Sequence, residues 1–369
     1  MKRLLIATDS FLPRWDGIAR FMYEMIPRLS EKFEITVVAP AYPGKKPEFD
    51  NVYIVRFPIR GWKVADINPS KVKRGQLKKL VKRADVVWTQ SIGPIGAFTM
   101  YYAKRYYRPL VSFVHSVEWD LFSQSLKRFK TFVRETTRKL VRFLYNKCDV
   151  IIIPFEGMTP MLEDVGVDRK KEVIHLGTDI KKFIPPESKA LAKRNIGIDP
   201  NKLVIGYVGR FGREKDIDTL YEAFIRLKEN YPNILLLLVG GELKKPFASM
   251  EHVKIVGAQS NVVPYYQAMD IYVLPSLTET TSLTTMEAMS CGVPVVVTSV
   301  GYIPEYVKHK ENGMLFPPKN VERLILLLEM LIKDPEMRVQ IGRRARATMQ
   351  EHYSWDMTAK RIAEVLDRF

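Results

Sequence analysis

Short apolar runs alternate with amphipathic segments along most of this chain. In the first half, the runs that are typical of buried strands cover residues 3–8, 34–38, 52–57, 85–88 and 110–114. In the second half, comparable runs cover residues 203–208, 234–239, 271–274 and 294–297. Helical patterns lie between several of them. Strands that alternate with helices predict an α/β protein with doubly wound parallel sheets.

One stretch, PSLTETTSLTTMEAMSCGVPVVVTSVGYIPE at residues 275–305, combines a strand end, a loop, a helix and a second strand. Its two carboxylates, Glu279 and Glu287, are eight positions apart. A loop that enters a helix near Ser282 directs unpaired backbone amides toward the edge where open α/β sheets bind ligands, which favours a phosphate. Carboxylates suit paired sugar hydroxyls. Taken singly, each glutamate is more simply a surface acid, Glu279 in a loop and Glu287 on a helix.

Two cations follow the strand at residues 203–208, in the sequence GRFGREK. Arg210 and Lys215 are expected to leave the strand end together, beside the start of a helix near Asp216. Such a pair suits a diphosphate leaving group, whose charge grows as the bond breaks. Taken alone, such a pair is usually surface charge.

Length and composition limit the class of protein. With 369 residues the chain suits two domains of about 180 residues. Hydrophobic residues make up 46% and charged residues 27%, which is typical of globular proteins. No apolar stretch reaches the roughly 20 residues of a membrane-spanning helix. Asp9 interrupts the first apolar run, so we interpret it as a strand and not as a signal peptide. Cys148 and Cys291 make no disulfide framework and no metal-binding spacing, and they fit a reducing interior.

The net charge of +17 belongs mainly to the N-terminal half. Residues 1–177 hold 32 Lys and Arg against 18 Asp and Glu, whereas the remainder holds 26 against 23. An anionic partner is expected there: a membrane surface, a nucleic acid or an acidic acceptor. Residues 60–83 and a predicted long helix at 121–147 are basic, and the helix interleaves aromatic residues with its cations, as interfacial helices do. The alternative is a solvated face with the apolar residues packed on the sheet.

Together these motifs resemble the family 4 type retaining glycosyltransferases, which include sucrose and glycogen synthases and phosphatidylinositol mannosyltransferases. The chain resembles the family pattern at Pro275, Ser276, Glu279, Glu287, Ala288, Met289, Gly292, Pro294, Val295, Gly301, Pro304 and Glu305. It departs where Thr281-Ser282 replaces Phe-Gly, where Tyr302 and Asp216 each replace a glycine, and where Asp16-Gly17 replaces a glycine pair. VIHLGTDIKKF resembles the family's link between domains, and the final YSWDMTAKRIAEVLDRF resembles its last helix.

The resemblance implies a GT-B fold of two Rossmann-like domains facing a cleft. They would comprise residues 1–177 on the acceptor side and 178–352 on the donor side, with a helix at about 353–369 packed back on the first. It also implies a nucleotide-diphosphate sugar as donor. Its phosphates would meet Arg210, Lys215 and backbone groups of Gly209, Ser282, Leu283 and Thr284. Glu287 would hold the ribose, Glu279 would orient the sugar, and the base would pack near Val256 and Gly257. His115 and the Gly17 loop would act from the first domain.

Relatives of this kind retain the anomeric configuration, and the two cations make a metal or cofactor unnecessary. The basic N-terminal half favours a lipid or lipid-linked acceptor and a cytoplasmic protein, peripheral on the inner face of the membrane. A soluble sugar or a glycan is the alternative acceptor. A non-catalytic nucleotide-sugar-binding protein is the alternative from another class. A nucleic-acid partner is not expected, because the sequence has no recognisable nucleic-acid-recognition motif.

Overall fold

The computed structural model describes residues 1–63, 68–120, 129–241 and 252–369. The chain divides into two compact units, residues 1–175 with 355–369, and residues 176–354. The boundary expected from the sequence, between residues 177 and 178, lies within a few residues of this division.

The first unit is built on a seven-stranded sheet in which all neighbouring strands are parallel, in the order β3-β2-β1-β4-β5-β6-β7. The strands are β1 Lys2–Ala7, β2 Phe33–Pro40, β3 Val52–Phe57, β4 Val86–Thr89, β5 Leu110–Phe113, β6 Val150–Ile153 and β7 Lys171–Val173. Every residue of β4, β5 and β6 is buried, which explains why these strands are mainly apolar and do not alternate between apolar and polar residues. The strand order reverses between β1 and β4, so the topological switch point lies there.

Helices connect these strands: α1 Gly17–Leu29, α2 Arg74–Arg83, α3 Pro94–Arg105, α4 Lys130–Tyr145 and α5 Met158–Asp164. The long helix expected at residues 121–147 is wrong as one uninterrupted helix. Phe129 has a left-handed backbone (φ 61°), and α4 begins only after it. Residues 121–128 lie outside the described residues.

Part of the basic segment at residues 60–83 is held against aromatic rings. Cations one helical turn apart on α2 lie over rings one turn apart on α3, with Arg74 4.5 Å from the Phe98 ring centroid. The same relation joins Lys78 to Tyr102 and Lys82 to Tyr106. Cation–π contacts of this kind stabilise by about 0.5–1 kcal/mol each at exposed sites. These three cations therefore have a structural role, whatever else their charge attracts.

The second unit contains a six-stranded parallel sheet in the order β10-β9-β8-β11-β12-β13. Its strands are β8 Leu203–Val208, β9 Ile234–Val239, β10 Val253–Val256, β11 Ile271–Leu274, β12 Val295–Thr298 and β13 Met314–Phe316. Its helices are α6 Lys189–Asn195, α7 Ile217–Asn230, α8 Val263–Ala268, α9 Leu283–Ser290, α10 Ile303–Tyr306, α11 Val321–Lys333 and α12 Pro335–His352, with a 3₁₀ turn at Arg213–Lys215. The last helix, α13 Trp355–Asp367, groups with the first unit.

The expectation of two doubly wound, Rossmann-like units is confirmed. In the second unit the strand order reverses between β8 and β11, and the predicted runs at residues 203–208, 234–239 and 271–274 coincide with β8, β9 and β11. Within the ranges that the structure describes, no helix is both long and apolar enough to cross a membrane.

Candidate active site

The loops that follow β8 and β11 meet at the switch point of the second sheet. Gly209 and Arg210 leave β8 and lead into the 3₁₀ turn, and residues from Pro275 onward leave β11. The amide of Leu277 donates a hydrogen bond to the carbonyl of Glu214 (2.8 Å), which ties the two loops together. Side chains far apart in sequence are therefore brought to the edge where α/β sheets bind ligands.

Lys215 and Glu279 form an ion pair across these loops. Lys215 Nζ lies 2.5 Å from Glu279 Oε1, and Ser276 Oγ donates to the same oxygen at 2.7 Å. The two charged side chains are only 18% and 10% exposed, so Glu279 is not a free surface acid. No hydrogen bond from a described residue reaches Glu279 Oε2. That oxygen is available to accept hydrogen bonds from a ligand's hydroxyl groups.

Arg210 has a different environment from Lys215. Its side chain is 84% exposed, and its nearest carboxylate is that of Glu214 at 3.5 Å. Both cations follow β8, but their surroundings differ: Lys215 is paired with Glu279, whereas the Arg210 side chain extends into solvent.

The helix α9 begins with a residue in an unusual conformation. Ser282 has a left-handed backbone (φ 48°), which a glycine adopts freely and which other residues adopt at a cost of about 1–2 kcal/mol. Its hydroxyl offsets part of that cost by accepting from the Thr285 amide at 3.4 Å and bonding the Thr285 hydroxyl at 2.8 Å. Among the described residues, no acceptor is paired with the amides of Leu283 or Thr284. They are the first-turn donors that an anion would use.

A left-handed backbone is also found at Asp216, another position where the resembled family has glycine. Asp216 has φ 47° and ends the 3₁₀ turn just before α7. Acidic and amide side chains tolerate this region better than most. The Asp216 carboxylate accepts a hydrogen bond from the Thr219 hydroxyl at 2.7 Å.

Gly301 holds a second loop close to Glu279. Its backbone is left-handed (φ 57°), and a Cβ there would lie 1.9 Å from the carbonyl oxygen of Glu279. The next residue, Tyr302, donates its amide to the Thr280 carbonyl (2.9 Å) and buries its ring beside Tyr353. The resembled family has a second glycine where this chain has Tyr302. The larger residue fits because its side chain is buried in the core.

Glu287 lies in the interior of the second unit. It is 1% exposed, and its Oε2 accepts a hydrogen bond from the Tyr266 hydroxyl at 2.9 Å. Burial, with the Glu287 carboxylate nearby, raises the pKa of Tyr266 well above its usual range. The interpretation of Glu287 as a surface charge is therefore wrong. Its assignment to the ribose stays a prediction.

Val256 and Gly257 lie at the end of β10, at the edge of the same sheet. The Val256 carbonyl accepts from the amide of Gly240, the residue that follows β9. Gly257 is exposed. They are separated from β8 by one strand in the sheet order and lie at the same edge of the sheet. Among the described residues, no hydrogen bond joins them to Lys215 or Glu279.

In the first unit, Asp16 is the last residue of the loop that joins β1 to α1. The Asp16 carboxylate accepts from the Ala19 amide (2.9 Å) and from Arg14 Nε (3.0 Å), and the Ser10 hydroxyl also donates to it. This aspartate is therefore the N-cap of α1. The capping role gives a physical reason for an acid beside Gly17, where the resembled family has glycine.

His115 follows β5 and is partly buried between aromatic rings. The Phe113 and Phe21 ring centroids are 4.5 and 4.9 Å from its own. Burial lowers the pKa of His115 to about 3, although the Asp16 charge opposes the shift. The ring is therefore neutral near pH 7. Nε2 lies 2.9 Å from Gln90 Oε1, which assigns the proton to Nε2 and leaves Nδ1 as an acceptor.

Sequence reasoning missed Gln90, which holds His115. It follows β4, the neighbour of β5, and its position at a strand end was the available signal. The side chain is 1% exposed, and within the described ranges its Nε2 has no hydrogen-bond partner. A buried amide donor beside a neutral histidine can orient that ring and offer a further hydrogen bond to a bound group.

Glu118, three positions after His115, was also missed. It is 6% exposed, and Oε1 accepts a hydrogen bond from the Tyr145 hydroxyl. Oε2 has no partner in the part of the chain that the structure describes. Burial raises the pKa of Glu118 to about 7. A single acidic residue gives no sequence signal of this burial.

Replacing Glu118 by glutamine is expected to change how stability depends on pH. Because its pKa is raised from 4.5 to about 7, Glu118 stabilises the folded state below pH 4.5, and this contribution is lost as pH rises to 7. The loss is about 3 kcal/mol. Denaturant unfolding from pH 4.5 to 7 should show the wild type losing this stability relative to Glu118→Gln.

The difference between the two proteins is the measurement, because His115 acts in the opposite direction. Its lowered pKa makes stability fall as pH drops from 6.5 toward 3 in both proteins. If the difference in unfolding free energy between the wild type and Glu118→Gln stays constant from pH 4.5 to 7, the raised pKa assigned to Glu118 is contradicted.

No group of three or more His, Cys, Asp or Glu side chains among the described residues is arranged to hold a metal ion.

Comparison with known families matches both halves of the chain. The model described as Glycosyltransferase Family 4 matches residues 15–182, and the model described as Glycosyl transferases group 1 matches residues 188–348. Both models describe glycosyltransferases, and together they account for most of the chain.

Several curated proteins are similar. A D-inositol 3-phosphate glycosyltransferase of Corynebacterium urealyticum is 30% identical over 253 residues, 63% of this chain and 59% of that protein. The chain thus matches less than two thirds of that relative's length. Alpha-monoglucosyldiacylglycerol synthase of Acholeplasma laidlawii is 25% identical over 97% of this chain and 95% of its own. A GDP-mannose-dependent alpha-(1-6)-phosphatidylinositol monomannoside mannosyltransferase of Mycolicibacterium smegmatis is 24% identical over 98% of each.

Solved structures share the fold. The sucrose-phosphate synthase of Thermosynechococcus elongatus superposes with a TM-score of 0.79 at 19% identity, over 99% of this chain and 98% of that one. Anabaena HepE, in complex with UDP and glucose, gives 0.79 at 18% identity over 100% of both chains. The two family models, which match residues 15–182 and 188–348, identify the chain as a member of the group 1, family 4 type of glycosyltransferases, and the solved structures show that it shares the GT-B fold.

Proposed function

We propose that this protein transfers a hexose from a nucleotide-diphosphate sugar to an acceptor hydroxyl, with retention of anomeric configuration and without a metal ion. The observation that supports it most directly is the switch point of the second unit. There a lysine, a glutamate with one uncommitted oxygen and the start of α9 converge from separate loops. Cations, unpaired backbone amides and a carboxylate at one sheet edge suit a phosphorylated sugar.

In this proposal the diphosphate is held by Arg210, Lys215 and the α9 amides, because each offers positive charge or a donor to an oxygen whose charge grows as the glycosidic bond breaks. Glu279 Oε2 would accept from hydroxyls of the sugar ring. Gly209 lets the backbone come close to the phosphates, as in the resembled family.

The nucleoside would occupy the rest of the same edge. Glu287 would accept from the ribose hydroxyls, and Val256 and Gly257 would line the base. Because Glu287 is 1% exposed and bonded to Tyr266, a ribose could reach its carboxylate only if these surroundings change. Donor binding should therefore perturb the Tyr266–Glu287 hydrogen bond.

His115 and Gly17 would contact the donor sugar from the first unit. His115 would act as a neutral hydrogen-bonding group through Nδ1, since its lowered pKa keeps it uncharged near pH 7. It would not serve as a cation. This distinguishes its role from those of Arg210 and Lys215.

His115→Ala is expected to lower kcat by about 100-fold, the lower end of the effect of losing one placed polar group in a catalytic site. Gln90→Leu should cause a smaller loss, because it affects only the orientation of the ring. The kinetics of donor hydrolysis and transfer would measure both. Equal rates for His115→Ala and the wild type would contradict the role of His115.

The acceptor that we propose is a lipid or a lipid-linked molecule. The supporting observations are the basic first unit and relatives named for diacylglycerol and phosphatidylinositol substrates. The protein would then work as a peripheral protein on the inner face of the membrane. A soluble sugar or a glycan is the alternative acceptor. A nucleotide-sugar sensor is the alternative outside catalysis.

The test is to incubate the protein with a panel of nucleotide sugars and membrane lipids, with and without EDTA, and to identify products by mass spectrometry and NMR. A glycolipid of retained configuration, formed equally with EDTA, is expected. Donor binding without transfer or hydrolysis would support the sensor. An inverted product or loss of activity with EDTA would overturn the corresponding part of the proposal.

A further inference from the structure

The outward face of α4 is apolar. Phe132, Leu140 and Phe143 are 71%, 43% and 58% exposed, and Phe129, just before the helix, is 78% exposed. The helical repeat places the three on one side of α4. The buried residues Thr137, Val141, Leu144 and Tyr145 lie on the other side. The alternative in which these apolar residues pack on the sheet is therefore excluded for this stripe.

A basic pocket adjoins the C-terminal end of the stripe. It is a cavity of about 470 Å³ lined by Lys104, Lys139, Arg142, Phe143, Asn146 and Lys147. Lys147 Nζ lies 3.8 Å from the centroid of the Phe143 ring. Across the described ranges, none of the four cations is within ion-pair distance of a carboxylate. By contrast, Arg134 and Arg138 on the same helix are paired with acids.

The pocket is separate from the candidate active site of this unit. Its residues lie at the C-terminal ends of α3 and α4, which lead into the starts of β5 and β6. His115 follows the end of β5, at the opposite edge of the sheet. At about 3.3 Å per residue, the length of β5 puts these edges on the order of 15 Å apart. A ligand in the pocket would therefore anchor the protein and would not be the group that accepts the sugar.

Helix-dipole stabilisation does not explain this arrangement fully. Cations in the last turn of a helix are favourable, which accounts for Arg142 and Lys147 in part. It gives no reason for exposed aromatic side chains in line with them. Unpaired cations beside an apolar stripe complement a surface that offers phosphate charge and hydrocarbon together, which is the interface of a bilayer with anionic lipids.

We propose that the pocket binds the phosphate headgroup of an anionic phospholipid while the α4 stripe enters the membrane interface. This inference rests on the membrane association in the proposed function and assigns it to one helix and one pocket. The cations would take the headgroup charge. Phe132, Leu140 and Phe143 would contact the glycerol and upper acyl region.

Co-sedimentation with vesicles of equal parts phosphatidylcholine and phosphatidylglycerol tests the proposal without any donor. Lys139→Gln with Arg142→Gln should weaken binding roughly 30-fold, from about a factor of five for each cation at an anionic surface. Phe132→Ser should weaken it about 10-fold through lost apolar contact. All three side chains are exposed, so the fold should not be affected, which circular dichroism would check.

Matched controls separate the pocket from general charge and general hydrophobicity. Arg343→Gln with Arg344→Gln removes the same charge from an exposed face of α12, and Tyr53→Ser removes an aromatic ring that is 65% exposed. Both controls should bind vesicles like the wild type. Equal losses in the controls would overturn the proposal.

Two further arms identify the ligand. Inorganic phosphate at matched ionic strength should compete only weakly with the vesicles. Saturable binding of inorganic phosphate without vesicle binding would overturn the proposal in favour of a free anion. Tighter binding to single-stranded RNA, lost in the same pocket variant, would overturn it in favour of a nucleic acid.

This test is distinguishable from a test of sugar transfer. If the wild type fails to bind vesicles but glycosylates a soluble acceptor, the headgroup pocket is wrong and the transferase assignment stands. If vesicles bind as expected but no donor is turned over, the proposed reaction is wrong and the headgroup pocket stands.

Discussion

Lys215→Gln is expected to lower kcat by about 100- to 1,000-fold, as loss of a group that stabilises developing charge does. It should also destabilise the second unit by about 2 kcal/mol. Glu279 would keep its charge in a site where it is only 10% exposed and would lose its ion-pair partner. Removing one member of a buried pair costs about 3–5 kcal/mol, and partial solvent access reduces that figure here.

The two effects of this substitution can be separated by adding Glu279→Gln. The double variant should recover most of the lost stability, because no unpaired charge remains, but its kcat should stay low. Chemical denaturation and steady-state kinetics on the four proteins of the cycle give both coupling energies. Recovery of activity together with stability would mean that Lys215 supports Glu279 and does not act on the leaving group.

Arg210→Gln is expected to lower kcat by about 100-fold with almost no effect on thermal stability. The side chain is 84% exposed, and its contact with Glu214 is 3.5 Å long, so it contributes little to the fold. A loss of kcat without a loss of thermal stability would indicate that Arg210 interacts with the bound donor and not with the rest of the protein.

Arg213→Gln is the matched control for Arg210. It removes the same charge from an exposed residue of the adjacent 3₁₀ turn. The control should keep nearly full activity. If both variants lose activity equally, the effect is one of general charge, and Arg210 has no specific position at the diphosphate.

The grouping of candidate ligand-binding residues at one edge of the second sheet could be anticipated because it depends on local signals. Glu279, Ser282 and Gly301 lie within one short stretch, and a strand–loop–helix pattern specifies where its amides point. The positions where this chain lacks a glycine of the resembled family could be recognised in the sequence. The backbone conformations and burial that accommodate the new side chains could not. Only the tertiary structure shows that Ser282 and Asp216 adopt left-handed conformations and that the Tyr302 side chain is buried.

Burial and pairing were the parts that could not be anticipated. Nothing near Lys215 in the sequence indicates that Glu279, 64 positions away, neutralises it. The same is true of Gln90, which contacts His115 across neighbouring strands, and of Glu118, whose raised pKa comes from its surroundings. Such properties depend on which strands are adjacent, and adjacency is set by the whole sheet.

The sequence by itself determined the alternation of strands and helices, the two parallel-sheet units, the glycosyltransferase family and the basic first half, because periodicity, motif spacing and charge are written along the chain. The tertiary structure alone decided which charges pair, which acids are interior and which face of α4 is exposed. The reason is physical: dielectric environment and contact depend on distance in space, and residues far apart in the chain set both.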